Sequence, residues 1–205
     1  MKYLLVIFFN IYSIAALAQK NTYMEFDARG INKLHILTEE VFKINLKTSK
    51  TDKIYLRTQS EGEYYNDISI EVKLEEGQML LSSKFPARLQ NGYDKLSAHK
   101  VFSLEITLEI PEDLEIYVRS NQASLHGLGK YKYMEVELRT GYCKLNDFKG
   151  NALINTYSGN VEIETSNAMV TAHSRSGKVL NQGFSSGDHS IEIGSITGDI
   201  SVRKN

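Results

Sequence analysis

Proline is almost missing from this 205-residue chain, which carries Pro86 and Pro111 and no other. That scarcity excludes collagen-like and proline-rich architectures. Cysteine is scarcer still. Cys143 stands alone, so it makes no internal disulfide and belongs to no thiolate cluster. Net charge is lacking too: 24 Lys and Arg against 25 Asp and Glu leave −1. That balance gives neither the basic surplus of a nucleic-acid binder nor the acidic surplus of a disordered chain. No window has a sustained helical period. Past the first segment, no apolar run approaches the roughly 20 residues needed to cross a bilayer.

What the chain does have is tyrosine, 12 of them, and a 41% hydrophobic content, a mix that suits β-structure with a buried core. It opens with Lys2 followed by the dense apolar run Tyr3–Phe9, and Ala16-Leu17-Ala18 has the small-x-small form of a signal-peptidase site. Residues 1–18 are therefore read as a cleaved export signal, placing the mature chain in the periplasm, at the cell surface or outside. No cysteine follows the site, so no lipid anchor is expected there.

Residues 19–118 read as successive strands, clearest at 34–37, 41–46, 54–56, 68–74 and 102–110, with polar loops at 59–67 and 86–100. Beyond residue 118 the pattern becomes a repeat. Ser/Thr-Gly-x-apolar copies place Gly141, Gly159, Gly177 and Gly198 at spacings of 18, 18 and 21, with Asn121 as a degenerate first copy in a slot expected to need positive φ. Two residues after each glycine stand Cys143, Val161, Val179 and Ile200. Five before stand Val136, Ile154, Ala172 and Ile193; seven before, Met134, Ala152, Val170 and Ile191. One such unit cannot bury its own apolar face, whereas stacked units bury a continuous one. The expected fold is all-β: a strand-rich section, 19–118, continuous with a β-solenoid over 119–205, two strands and two turns to a rung. The second turns fall near Gly150, Asn167 and Gly187. Asn181, in a slot otherwise held by Leu145, Ile163 and Val202, predicts a local slip or bulge.

Enzymatic signatures fail on inspection. Ser97-Ala98-His99-Lys100 matches Ser-x-x-Lys without its companion motifs, and Ser176-Gly177-Lys178-Val179 lacks the metal-binding hydroxyl of a phosphate loop. His35, His99, His126, His173 and His189 show no helical metal-pair spacing, so no metal or cofactor is expected. His173 is placed facing outward and Cys143 in the core. The column two before the glycine, Arg139, Tyr157, Arg175 and Ile196, is the candidate binding strip, with Tyr64-Tyr65 as a second exposed aromatic pair.

The export signal, the strand-rich lead-in, the stretch Ile106–Val118 and the Ser/Thr-Gly copies ending in Gly198-Asp199-Ile200-Ser201-Val202 together resemble the adhesin-type β-strand-repeat family of bacterial envelopes. The resemblance covers nearly all of the mature chain. It implies a β-helix-like fold and a non-enzymatic envelope protein that meets a polymer or another protein through an extended surface. Its motif is structural and carries no catalytic or ligand residues. A periplasmic stress or assembly partner and a carbohydrate-active enzyme on a solenoid are the competing readings. Self-association is expected at the last rung, Ser201–Asn205, where unpaired backbone meets Arg203 and Lys204.

Overall fold

The computed structural model describes residues 19–39, 41–62, 68–84 and 102–205. The export segment, Tyr64-Tyr65 and Ser97–Lys100 lie outside these residues. Among those described there is no helix. The strands are β1 (Gln19–Asp27), β2 (Lys33–Thr38), β3 (Lys43–Ser49), β4 (Lys53–Gly62), β5 (Ser69–Glu75), β6 (Gln78–Lys84), β7 (Phe102–Pro111), β8 (Glu115–Ser120), β9 (Ser124–Leu138), β10 (Cys143–Thr156), β11 (Val161–Thr165), β12 (Ala168–Ser174), β13 (Val179–Asn181), β14 (His189–Ser195) and β15 (Ile200–Lys204).

They form one open, mixed sheet that follows two ladders. The first runs β1-β4-β7-β3-β9-β10-β11-β15-β13 and the second β5-β6-β2-β8-β9-β10-β14-β12. The N-terminal edges are antiparallel, in β1-β4-β7 and β5-β6; every other pairing is parallel. β9 and β10 belong to both ladders, because each bends instead of turning. The bends sit at Gly129 (φ 111) in β9 and at Asp147 (φ 43) and Gly150 (φ 142) in β10. The turn expected near Gly150 is thus a kink inside a 14-residue strand. In the first section, β4 continues through Gly62 where a loop was expected. β6 emerges from a two-residue hairpin whose central residues, Glu76 (φ 42) and Gly77 (φ 78), both take positive φ, the geometry that matches strand twist.

Alternation explains the core. Along β8, and along β9 and β10 on either side of their bends, every second residue is buried, and the inward sets, such as Ile116 and Val118, Met134 and Val136, Cys143 and Leu145, join one apolar cluster reaching from Ala28 to Val202. That cluster crosses residue 118 without a break.

The 18-residue register holds for Leu125↔Cys143↔Val161 and for Ile116↔Met134↔Ala152. Then the order departs from the chain. Val161 pairs with Ile200 and Ala152 with Ile191, offsets of 39 in both ladders, the repeat lengths of 18 and 21 taken together. The last rung, β14–β15, is inserted between β10–β11 and β12–β13. The spatial end of the stack is therefore β12–β13, and of the expected open end Ser201 and Val202 are paired on both sides, by β11 and by β13, while Arg203 and Lys204 pair with β11 alone. Composition supplies the reason. The interior rung offers Ile191, Ile193, Ile200 and Val202, all buried, while the terminal rung offers Ala168, Val170, Ala172, Val179 and Asn181. Val179, expected in the core, is 38% exposed. Asn181 pairs with Val202 in register without the expected slip, and its amide donates to the carbonyl of Val170.

Candidate functional site

The turns of the repeat stack into a column, and the stacking fixes which side chains share the outer surface. Backbone bonds run from turn to turn: Tyr157 N donates to Leu138 O, Ile196 N to Thr156 O and Arg175 N to Ser195 O. The glycines are required by this close approach. A Cβ on Gly159 would lie 1.7 Å from the carbonyl oxygen of Gly141, one on Gly198 would lie 2.0 Å from that of Gly159, and one on Gly177 would lie 2.1 Å from that of Gly198. Of the four, only Gly141 has positive φ (91°).

Two corrections follow. Asn121 does not take positive φ, and it does not fill the glycine slot. The Leu125↔Cys143 register puts Ala123 there, 18 residues before Gly141, and a Cβ on Gly141 would meet the Ala123 carbonyl oxygen at 2.3 Å. A further feature of the turns escaped the sequence reading. Ser120, Thr156, Ser195 and Ser174 place a hydroxyl at the turn's inner side. The backbone N–H of Ala123, Gly198 and Gly177 donates to Ser120 Oγ (3.1 Å), Ser195 Oγ (2.9 Å) and Ser174 Oγ (2.9 Å), and Thr156 Oγ1 donates to the Gly159 carbonyl (2.8 Å). The signal was present as a hydroxyl three residues before three of the glycines. Leu138 breaks it at Gly141.

Outside the turns, rung order sets the column two before the glycine as Arg139, Tyr157, Ile196, Arg175. Ile196 separates Tyr157 from Arg175, so the three residues of the expected strip are not consecutive. Tyr157 is 60% exposed and Ile196 39%. Beside this column runs a second, Arg119, Glu137, Asn155, Gly194, His173, in register across β8, β9, β10, β14 and β12. Between them lies a shallow groove of about 530 Å³, lined among others by Glu137, Arg139, Asn155, Tyr157 and Ile196. Arg119 is paired with Glu137 at 3.2 Å. His173 is exposed, as expected of an outward position.

The same face carries an aromatic and charged cluster nearer the N-terminal edge. His35 stacks on Tyr117 at 4.7 Å, and Glu115 accepts from Lys132 (2.7 Å) and Tyr117 (3.3 Å), contacts that hold its carboxyl below the usual range, with Lys132 foremost. Tyr133 is pushed up to about 12, by desolvation first and by its bond to Glu135 second. A second cavity of about 600 Å³ lies between this cluster and the β5–β6 hairpin, lined by His35, Lys73, Glu75, Glu76, Gln78 and Leu80. Cys143 is fully buried, and burial pushes its thiol up to about 12, which leaves it without the thiolate a nucleophile needs. Among the described residues no three His, Cys, Asp or Glu side chains converge as metal ligands.

The site is thus an exposed ladder surface on an all-β scaffold. No family model matches the sequence, and no curated protein matches it. The chain is similar in structure to a "putative cell adhesion protein" from Clostridium sporogenes, with a TM-score of 0.69 and 16% identity, over 91% of this chain and 100% of the other. That likeness shows a shared fold. Two structures named "putative adhesin" also match, one from Bacteroides fragilis (11% identity, 90% and 97% covered, TM-score 0.36) and one from Parabacteroides merdae (10% identity, 91% and 92% covered, TM-score 0.35).

Proposed function

We propose that the chain is an exported, non-enzymatic envelope protein of adhesin type, freed of residues 1–18, that binds a polymer or another protein along its repeat surface. We read the two parallel ladders as a β-solenoid, each coil passing once through each ladder. One observation carries the reading: stacked turns hold Arg139, Tyr157 and Ile196 side by side along an open groove. Such an array repeats weak contacts over several rungs, which gains strength by multiplicity. The similarity to a protein named for cell adhesion agrees with it. No helix among the described residues is long and apolar enough to cross a membrane.

The test is cellular. In the native host, protease or antibody added to intact cells reaches a tagged copy if the protein acts at the surface. Protection until the outer membrane is opened would sink adhesion and point to a periplasmic partner.

A further inference from the structure

We propose that the column Arg139–Tyr157–Ile196–Arg175 binds an extended glycan bearing uronate carboxylates at intervals. The proposal rests on the surface-binding reading above and names its ligand. At a strand spacing of about 4.8 Å per rung, the two guanidinium-bearing positions stand about 14 Å apart. Between them Tyr157 and Ile196 occupy adjacent rungs and leave an exposed apolar platform. A pyranose ring presents a C–H face that packs on such a platform, and one rung is close to the length of one sugar in an extended chain. Tyrosine suits the task, since its ring is rigid, apolar on its face and polar at its tip.

Charge decides the class of glycan. Arg119, one column away, is paired with Glu137, and Lys144 elsewhere on the repeat is paired with Glu162. Arg139 and Arg175 have no acidic partner among the described residues. Their planar forks suit carboxylates, which they grip through two parallel hydrogen bonds. The two positions are sparse, Glu137 lines the same groove, and the chain's net charge is −1. A densely charged polyanion such as a nucleic acid would be opposed by that balance, whereas a glycan with one carboxylate to every two to four sugars meets it. The groove gives the chain room on one side. Gly194 contributes no side chain between Asn155 and His173, and the Asn155 amide leans over it, with Oδ1 2.8 Å from where a Cβ would stand, as a hydrogen-bonding group lining the groove.

The experiment is calorimetric titration of the mature protein with hyaluronan and gellan oligosaccharides, and with the same oligosaccharides after methyl esterification of their carboxylates. Binding of at least one uronate glycan is expected, weakened about tenfold by esterification and about tenfold by each of Arg139→Ala, Tyr157→Ala and Arg175→Ala. Lys149→Ala should stay within about twofold of wild type, since its charge is engaged by Asp147 and it lies outside the groove. All four positions are exposed, and unchanged thermal unfolding of the variants confirms that they fold. No binding to either uronate glycan, or binding indifferent to Arg139→Ala and Arg175→Ala, would overturn the proposal. The broader reading fails separately: a glycan that binds in solution to a protein hidden from protease on intact cells removes adhesion while leaving the ligand in place.

Discussion

Gly159 and Gly183 are the same residue doing different work. Gly183 takes φ 70 with open space around its Cβ position, so Gly183→Ala should cost about 1–2 kcal/mol, the ordinary penalty of left-handed backbone. At Gly159 a methyl group would enter the carbonyl of the neighbouring turn, and backbone on both sides would have to move. Gly159→Ala should cost more than about 4 kcal/mol or prevent folding, as read by urea unfolding. Cys143 sets a pH dependence. An unfolded thiol titrates near ~8.5, and burial pushes the folded one to about 12, so the native state favours the protonated form. Its contribution is complete below ~8.5 and is lost as pH rises toward 12, because the unfolded chain then sheds a proton that the folded chain keeps. Wild-type stability should fall through that window more steeply than that of Cys143→Ala, by up to about 1.4 kcal/mol per pH unit. Native Cys143 should also resist thiol reagents at pH 8 until the protein is unfolded.

At the scale of elements, the repeat treats Val179 and Ile200 as equals and the stack does not. Ile200 is 1% exposed with a strand on either side, so Ile200→Ala should cost about 2–5 kcal/mol. Val179 lies on the outermost three-residue strand, and Val179→Ala should cost less than about 1 kcal/mol. Amide exchange gives an independent check. β13 should exchange early and β15 late, the reverse of what chain order implies, since fraying follows position in the stack. Phe184 helps hold this arrangement. It is buried, its carbonyl accepts from Val170 N (3.1 Å), and its ring lies beneath Lys204 Nζ, so the loop that lengthens the last repeat also covers the end of β12.

The whole molecule has one core. β9 pairs with β3 and β8 on one side and β10 on the other, which ties the repeat to the strand-rich section through Ile44–Leu125 and Ile116–Met134. Residues 119–205 expressed alone would lose those partners and uncover an apolar row. They should show no cooperative thermal transition, whereas the mature chain should unfold in one. Two independent transitions in the full chain would refute this. The same connectivity pairs strands far apart in sequence, such as β3 with β7 and β11 with β15, so refolding should be slow, in milliseconds to seconds.

The residues by themselves determine that the chain is all-β, which positions face inward, the 18-residue phase and the need for glycine at the turn. Each of these follows from local alternation and close backbone approach. Even the outward column of Arg139, Tyr157, Arg175 and Ile196 was legible, as a set. Its order was not. Every rung presents inward apolar residues in the same phase, so the strands are interchangeable to a reading of period, and shifting a rung by two repeats preserves every in-or-out assignment. Only the packed structure ranks them. The isoleucine-rich rung takes the interior, the rung with Ala172, Val179 and Asn181 takes the edge, and Ile196 thereby comes to lie between Tyr157 and Arg175. Tertiary burial decided this, because it sums apolar surface over neighbours that no local pattern identifies.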